Sequence, residues 1–180
     1  MDISEHFSCS YVTKIVQTKK HKTMKVTNTT KVDAAAATKI GEKLSVLLAD
    51  MHIFYANLRG YHWNVKGNLF FELHKYFEDQ YNAYATHIDD VAERMLQLDV
   101  TPTSHLSEYL KVATIKEECS CKCGKEMMEN VLATIGSLIA SERAIIALAD
   151  EAHDTATTDL LSAILDEQEK ACWMISAYLS

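Results

Sequence analysis

Between His62 and Glu93 the chain carries five side chains of the types that hold transition metals: His62, His74, Glu78, Asp89 and Glu93. A mixed set of imidazoles and carboxylates suits iron, manganese or zinc. Upstream, apolar residues recur at Leu44, Leu48, Met51, Tyr55 and Leu58, alternately four and three apart, and His62 is the next step of that series. Such spacing predicts a helix that carries His62 on its core-facing side. The segment Lys66-Gly67-Asn68 then predicts a reversal, because glycine and asparagine supply the backbone freedom a turn needs. His62 and His74 each lie six residues from Asn68. In a helical hairpin they come opposite one another.

The second helix of that hairpin sets a geometric limit. His74 and Glu78 are four residues apart, as are Asp89 and Glu93, so each pair shares a helix face. Eleven residues separate Glu78 from Asp89, close to three turns, so both pairs point the same way. At 1.5 Å per residue they stand about 16 Å apart along the axis, whereas a metal–ligand bond is about 2 Å. One chain therefore offers half a site at each end of a helix. Antiparallel packing on a second copy across a two-fold axis would complete two sites per dimer. Each would take His62, His74 and Glu78 from one subunit and Asp89 and Glu93 from its partner.

The stretch resembles the Dps family of twelve-subunit mini-ferritins. The family pattern is a histidine before a tryptophan, a second histidine twelve residues on, an acid four later, then D-x-x-x-E. Here these are His62-Trp63, His74, Glu78 and Asp89–Glu93, with Ala92-Glu93-Arg94 following the usual form. Glu169 to Met174 (EKACWM) is similar to the family's fourth helix, and the resemblance covers roughly residues 34–180. Glu78 departs slightly, since the family often has aspartate there. The resemblance implies a cytoplasmic homododecamer that oxidises Fe²⁺ at a di-metal site on the dimer interface, preferably with H₂O₂ and more slowly with O₂. It also implies storage of ferric mineral inside. Trp63 would be an aromatic able to surrender electrons to the iron centre, its other role being core packing.

Composition agrees with a helical fold. The chain has 180 residues, 48 % hydrophobic, with one proline and five glycines, enough for one compact core. No uncharged run approaches the roughly 20 residues needed to cross a bilayer, and MDISEHF lacks the form of a secretory signal. Helices are expected over about 33–65, 69–98, 125–153 and 157–179, with a short one near 104–112 in the long connection. Four long helices with one crossover predict an all-α, ferritin-like four-helix bundle over 33–180. Bundles that hold two metals inside one chain use Glu-x-x-His twice. That motif occurs nowhere in this sequence, and Asp150-x-x-His153 is its nearest match. The shared site is favoured accordingly.

Residues 1–32 hold six lysines (Lys14, Lys19, Lys20, Lys22, Lys25, Lys31) against Asp2 and Glu5, a net +4, so the remainder carries −11 of the total −7. This segment lacks periodicity and is expected to be a flexible arm. It is either a DNA-binding tail acting through residues 14–31, like those of some family members, or a solvated leader, with Met24 an alternative start.

Four acids, Asp150, Glu151, Asp154 and Asp159, gather at the joint of the last two helices. They are either dipole-complementing acids or, by the resemblance, pore acids that draw Fe²⁺ inward, Asp154 and Asp159 matching by spacing. Cys119, Cys121 and Cys123 form C-x-C-x-C, apart from Cys9 and Cys172. They are either exposed thiols in a reducing compartment or a thiolate set for a soft metal or haem iron. His87 is expected to face solvent.

Overall fold

The computed structural model describes residues 25–118 and 123–180, and those residues form six helices: α1 (Val26–Thr30), α2 (Ala34–Asn64), α3 (Phe70–Gln97), α4 (Leu106–Val112), α5 (Gly124–Glu151) and α6 (Thr155–Leu179). The four long ones make the bundle. α2 packs on α3 and α5, α5 on α6, and the short α4 lies against α2. The apolar series read from the sequence is the core stripe of α2: Leu44, Leu48, Met51 and Leu58 are fully buried, joined from α3 by Phe77, Val91 and Met95.

Each helix end has a physical reason. Asp33 caps α2, its Oδ1 accepting from Ala35 N at 3.1 Å and Ala36 N at 2.8 Å, which satisfies two otherwise orphaned donors. The hairpin between α2 and α3 turns at Gly67, whose φ of 111° is open to a residue without a Cβ. α3 ends in a left-handed residue, Asp99 (φ 60°), with Val100 N bonding back to Met95 O at 2.9 Å, the six-to-one bond of a Schellman ending. Val100 then meets α2 so closely that a Cβ on Gly41 would stand 2.4 Å from its Cγ2.

The long crossover is laced to α2 at two points two turns apart. Asp50 accepts from Thr114 N (2.6 Å), Thr114 Oγ1 (2.9 Å) and Ile115 N (2.9 Å). Asn57 donates to Lys116 O and accepts from Glu118 N, both at 2.9 Å. Between them His52 stacks on Tyr109 of α4, ring centroids 4.1 Å apart. A buried polar side chain fully matched to backbone fixes a loop without needing the loop to be apolar.

One expectation is revised. The basic arm does not run unbroken to residue 32, because Val26–Thr30 is helical and tied down. The Asp99 carboxylate accepts from Val26 N (2.8 Å), Thr27 N (3.0 Å) and Thr27 Oγ1 (2.6 Å). Those bonds, the Thr27 hydroxyl first, hold the Asp99 pKa below its usual value. Lys14, Lys19, Lys20, Lys22 and Met24 lie outside the described residues. α5 is long and apolar enough by composition to cross a membrane. It is a bundle helix here, packed on α2 and α6 and carrying the buried acid Glu142.

Glu142 is 0 % exposed, and Gln168 Nε2 on α6 donates to its Oε1 at 2.8 Å while its Oε2 has no partner among the described residues. Burial pushes its pKa up to about 7. A carboxyl whose folded pKa lies above the unfolded one keeps its proton longer in the fold, so stability falls as pH rises from about 4.5 to 7 and stays lower above. A rise of this size corresponds to roughly 3 kcal/mol at most. Glu142→Gln should therefore raise Tm at pH 8 by several degrees and leave it unchanged at pH 5. Scanning calorimetry at both pH values checks this, and equal shifts at the two would contradict it.

Candidate metal centre

His62 sits in the last turn of α2 and His74 in the second turn of α3, and the hairpin brings them face to face. Their rings stack with centroids 3.7 Å apart and planes 22° from parallel. His62 Nδ1 donates to His74 O, and His74 Nδ1 donates to His62 O, both at 2.8 Å. The His62 carbonyl is one of the unsatisfied groups at a helix C-terminus, so the bond costs the helix nothing. A carbonyl can only accept, which places the proton of each neutral imidazole on Nδ1. Both Nε2 lone pairs are left free. This is the usual outer support of a metal-binding histidine, one nitrogen fixed by a carbonyl and the other available to the ion.

Phe70 stacks on His74 (4.9 Å), and Tyr81 stands edge-on to His62 (5.4 Å, 83°). These contacts fix the ring planes from the flanks. Glu78 is half-buried one turn beyond His74, while Asp89 and Glu93 are exposed further along α3. Among the described residues no three His, Cys, Asp or Glu side chains stand close enough to share a metal ion. The structure thus brings His62 and His74 together, does not gather Glu78 into one three-residue cluster with them, and leaves Asp89 and Glu93 apart from them within one chain. Trp63 is 65 % exposed beside this face, with the Arg59 guanidinium 4.8 Å from its ring centroid.

Other candidates fare differently. Asp154 is buried (3 % exposed) and saturated. It caps α6 through Thr157 N at 3.3 Å, takes the Thr157 hydroxyl at 2.5 Å and pairs with Arg94 Nη2 at 2.5 Å. Burial alone would raise its pKa, but the Thr157 hydroxyl and the Arg94 guanidinium outweigh burial and hold it below the usual carboxylate range. The expectation of Asp154 as a pore acid is corrected: its oxygens serve the joint of α3 and α6, and α6 starts at Thr155 rather than near 157. Asp159 is exposed. His87 is also corrected. It is 9 % exposed, packed edge-on to Tyr84, with Nε2 3.3 Å from Glu167 Oε2. Cys123 is exposed at the start of α5, and Cys119 and Cys121 lie outside the described residues.

Sequence reasoning missed the Arg94–Asp154–Thr157 and Glu142–Gln168–Tyr84 clusters. A weak signal existed for the first, Asp154 three residues before Thr157 at the head of an apolar run. For the second there was none.

The bundle and the paired histidines define a class. A family model described as a ferritin-like domain matches residues 41–180. The chain is 48 % identical over 135 residues to a DNA protection during starvation protein of Porphyromonas gingivalis, covering 75 % of this chain and 85 % of that one. It is 39 % identical to general stress protein 20U of Bacillus subtilis, covering 73 % and 91 %. The fold matches a Dps protein from Vibrio cholerae O1, described as one of a broad superfamily of ferritin-like diiron-carboxylate proteins. That match has a TM-score of 0.81 and 40 % identity, covering 83 % of this chain and 94 % of the other. The chain belongs to the Dps family.

Removing the Asp154 carboxylate strands the Arg94 charge in the interior, a loss of about 3–5 kcal/mol. Asp154→Ala should lower Tm by roughly 10 °C, whereas Asp159→Ala should leave it unchanged. An Asp154→Ala variant with native Tm and slowed iron entry would restore the pore role.

Proposed function

We propose that this protein is a ferroxidase and iron store of the Dps type, with Fe²⁺ as substrate at a site shared by two chains. The observation that carries this is the pair of imidazoles whose Nδ1 atoms are spent on backbone carbonyls. Two Nε2 lone pairs are thereby presented side by side, one helical turn of α3 before Glu78. Asp89 and Glu93 of a second copy supply the remaining carboxylates, in the antiparallel pairing that the roughly 16 Å separation along α3 demands. Neutral imidazoles capture the ferrous ion, and hard carboxylates favour the ferric product. H₂O₂ is the preferred oxidant and O₂ the slower one, and ferric mineral collects inside a homododecamer in the cytoplasm. Asp159 is assigned to the entry path.

Assembly has support in the single chain. Phe71 (81 % exposed), Leu106 (70 %) and Trp173 (68 %) are apolar side chains that other copies of the chain would cover. DNA contact through the lysines before Lys25 is the second reading. The +4 charge of residues 1–32 and the relatives named for DNA protection favour it. Because Val26 and Thr27 cap onto Asp99, the truncation that tests it must stop at residue 24. Loss of 1–24 should abolish the DNA gel shift at low salt and leave iron oxidation intact.

A mixing experiment tests the shared site directly. Neither His62→Ala/His74→Ala nor Asp89→Ala/Glu93→Ala should oxidise Fe²⁺ rapidly with H₂O₂, read as ferric absorbance after anaerobic loading. Reassembled together in equal amounts, half the dimers are mixed, and each mixed dimer regains one intact site of two. About a quarter of the wild-type rate should return. No recovery on mixing would place all five ligands on separate duties and sink the proposal.

A further inference from the structure

Arg59 lies on α2 three residues before His62 and four before Trp63, so its side chain shares their face. Its Cζ stands 4.8 Å from the Trp63 ring centroid and 5.6 Å from that of Tyr55. Tyr55 is edge-on to Tyr81 at 6.1 Å, and Tyr81 is edge-on to His62 at 5.4 Å. Among the described residues no carboxylate pairs with Arg59. Tyr81 thus borders the histidine pair, Tyr55 lies behind it, Trp63 follows His62 in the chain, and a full positive charge sits over Tyr55 and Trp63. The chain has a built-in comparison: Trp173 is as exposed as Trp63, 68 % against 65 %, with no cation over it among the described residues.

We propose that Arg59 is a positioning residue that decides which aromatic beside the histidine pair gives up an electron: it holds the Trp63 indole and resists its oxidation, leaving Tyr81 as the donor. The electrostatics are elementary. A guanidinium is attracted to the electron-rich face of an indole, and that attraction turns to repulsion once the ring has lost an electron and become a cation. Tyr81 escapes the penalty because a phenol loses its proton with its electron and ends neutral.

The need for a donor rests on the ferroxidase reading above. H₂O₂ takes two electrons, which two ferrous ions at the di-metal site supply together, but a site with only one position filled supplies one. Tyr81 supplies the other together with its phenolic proton. The O–O bond breaks, one further proton comes from solvent, and two waters leave. Fe²⁺ has become Fe³⁺ and Tyr81 a neutral phenoxyl radical.

The first test needs no iron. The assembled, metal-free protein is exposed to azidyl radical, a neutral one-electron oxidant, and oxidation of Trp63 and Trp173 is measured by peptide mass spectrometry in the same sample. In Arg59→Met the Trp63/Trp173 ratio should rise about two- to five-fold, the worth of a partly exposed cation–π contact. In Arg59→Lys, which keeps a charge but covers less ring, the ratio should return toward wild type. An unchanged ratio in Arg59→Met, or the same rise in Arg59→Lys, overturns the role of Arg59.

The second test adds one ferrous ion per site and then H₂O₂, with freeze-quenched EPR. A tyrosyl signal should appear in the wild type, vanish in Tyr81→Phe, and give way to oxidised Trp63 in Arg59→Met. A signal that survives Tyr81→Phe overturns the role of Tyr81. Slow peroxide oxidation in the unmutated protein would remove the ferroxidase reading and Tyr81's role with it, while the azidyl comparison would still decide Arg59.

Discussion

Two hydrogen bonds between the ends of neighbouring helices govern what this bundle can do. Each of His62 and His74 gives its Nδ1 proton to the other's carbonyl at 2.8 Å. The exchange closes the α2–α3 hairpin, satisfies a carbonyl that helix geometry leaves open, and sets the tautomer of both rings. A side-chain bond from one helix to the other's backbone cannot be kept if the hairpin slips by a residue. Register and chemistry are therefore fixed by the same contacts.

The rest of the chain keeps that hairpin straight and dry on its inner side. Phe77 and Tyr84 of α3 and Phe54 of α2 fill the core below it. The crossover is held by Asp50 and Asn57 through bonds to its backbone, and by Tyr109 and Ala113, which pack into the core. At the far end Arg94 reaches Asp154 and Thr157, locking α3 to the start of α6. Glu93 and Arg94 are adjacent yet differently placed, one exposed and one buried in the joint.

Buried polar groups mark where the bundle gives up stability. Glu142 lies buried on α5 with one oxygen bonded by Gln168 and the other without a partner among the described residues. An apolar residue there would pack without that cost. The tight α5–α6 turn is a similar case, since His153 adopts φ 55° so that Asp154 N can reach Ala149 O at 2.8 Å. Strain at His153 is offset by the cap that Asp154 then provides for α6.

What the sequence determined by itself was whatever depends on period and spacing. The three-four alternation through Leu44, Leu48, Met51 and Leu58 fixes the buried stripe of α2, and the distances from Asn68 to the two histidines fix their meeting. The eleven-residue gap in α3 forbids a one-chain site, because rise per residue is a constant of the helix. What only the tertiary structure decided depends on which of several equal faces a neighbour covers. His87 looks like a surface residue until α6 lies over it, and Asp154 looks like a pore acid until Arg94 arrives from α3. Val26 and Thr27 look like part of a loose arm until the left-handed ending of α3 turns the Asp99 carboxylate toward them. Each of these partners is at least 60 residues away in sequence, and no local pattern carries that information.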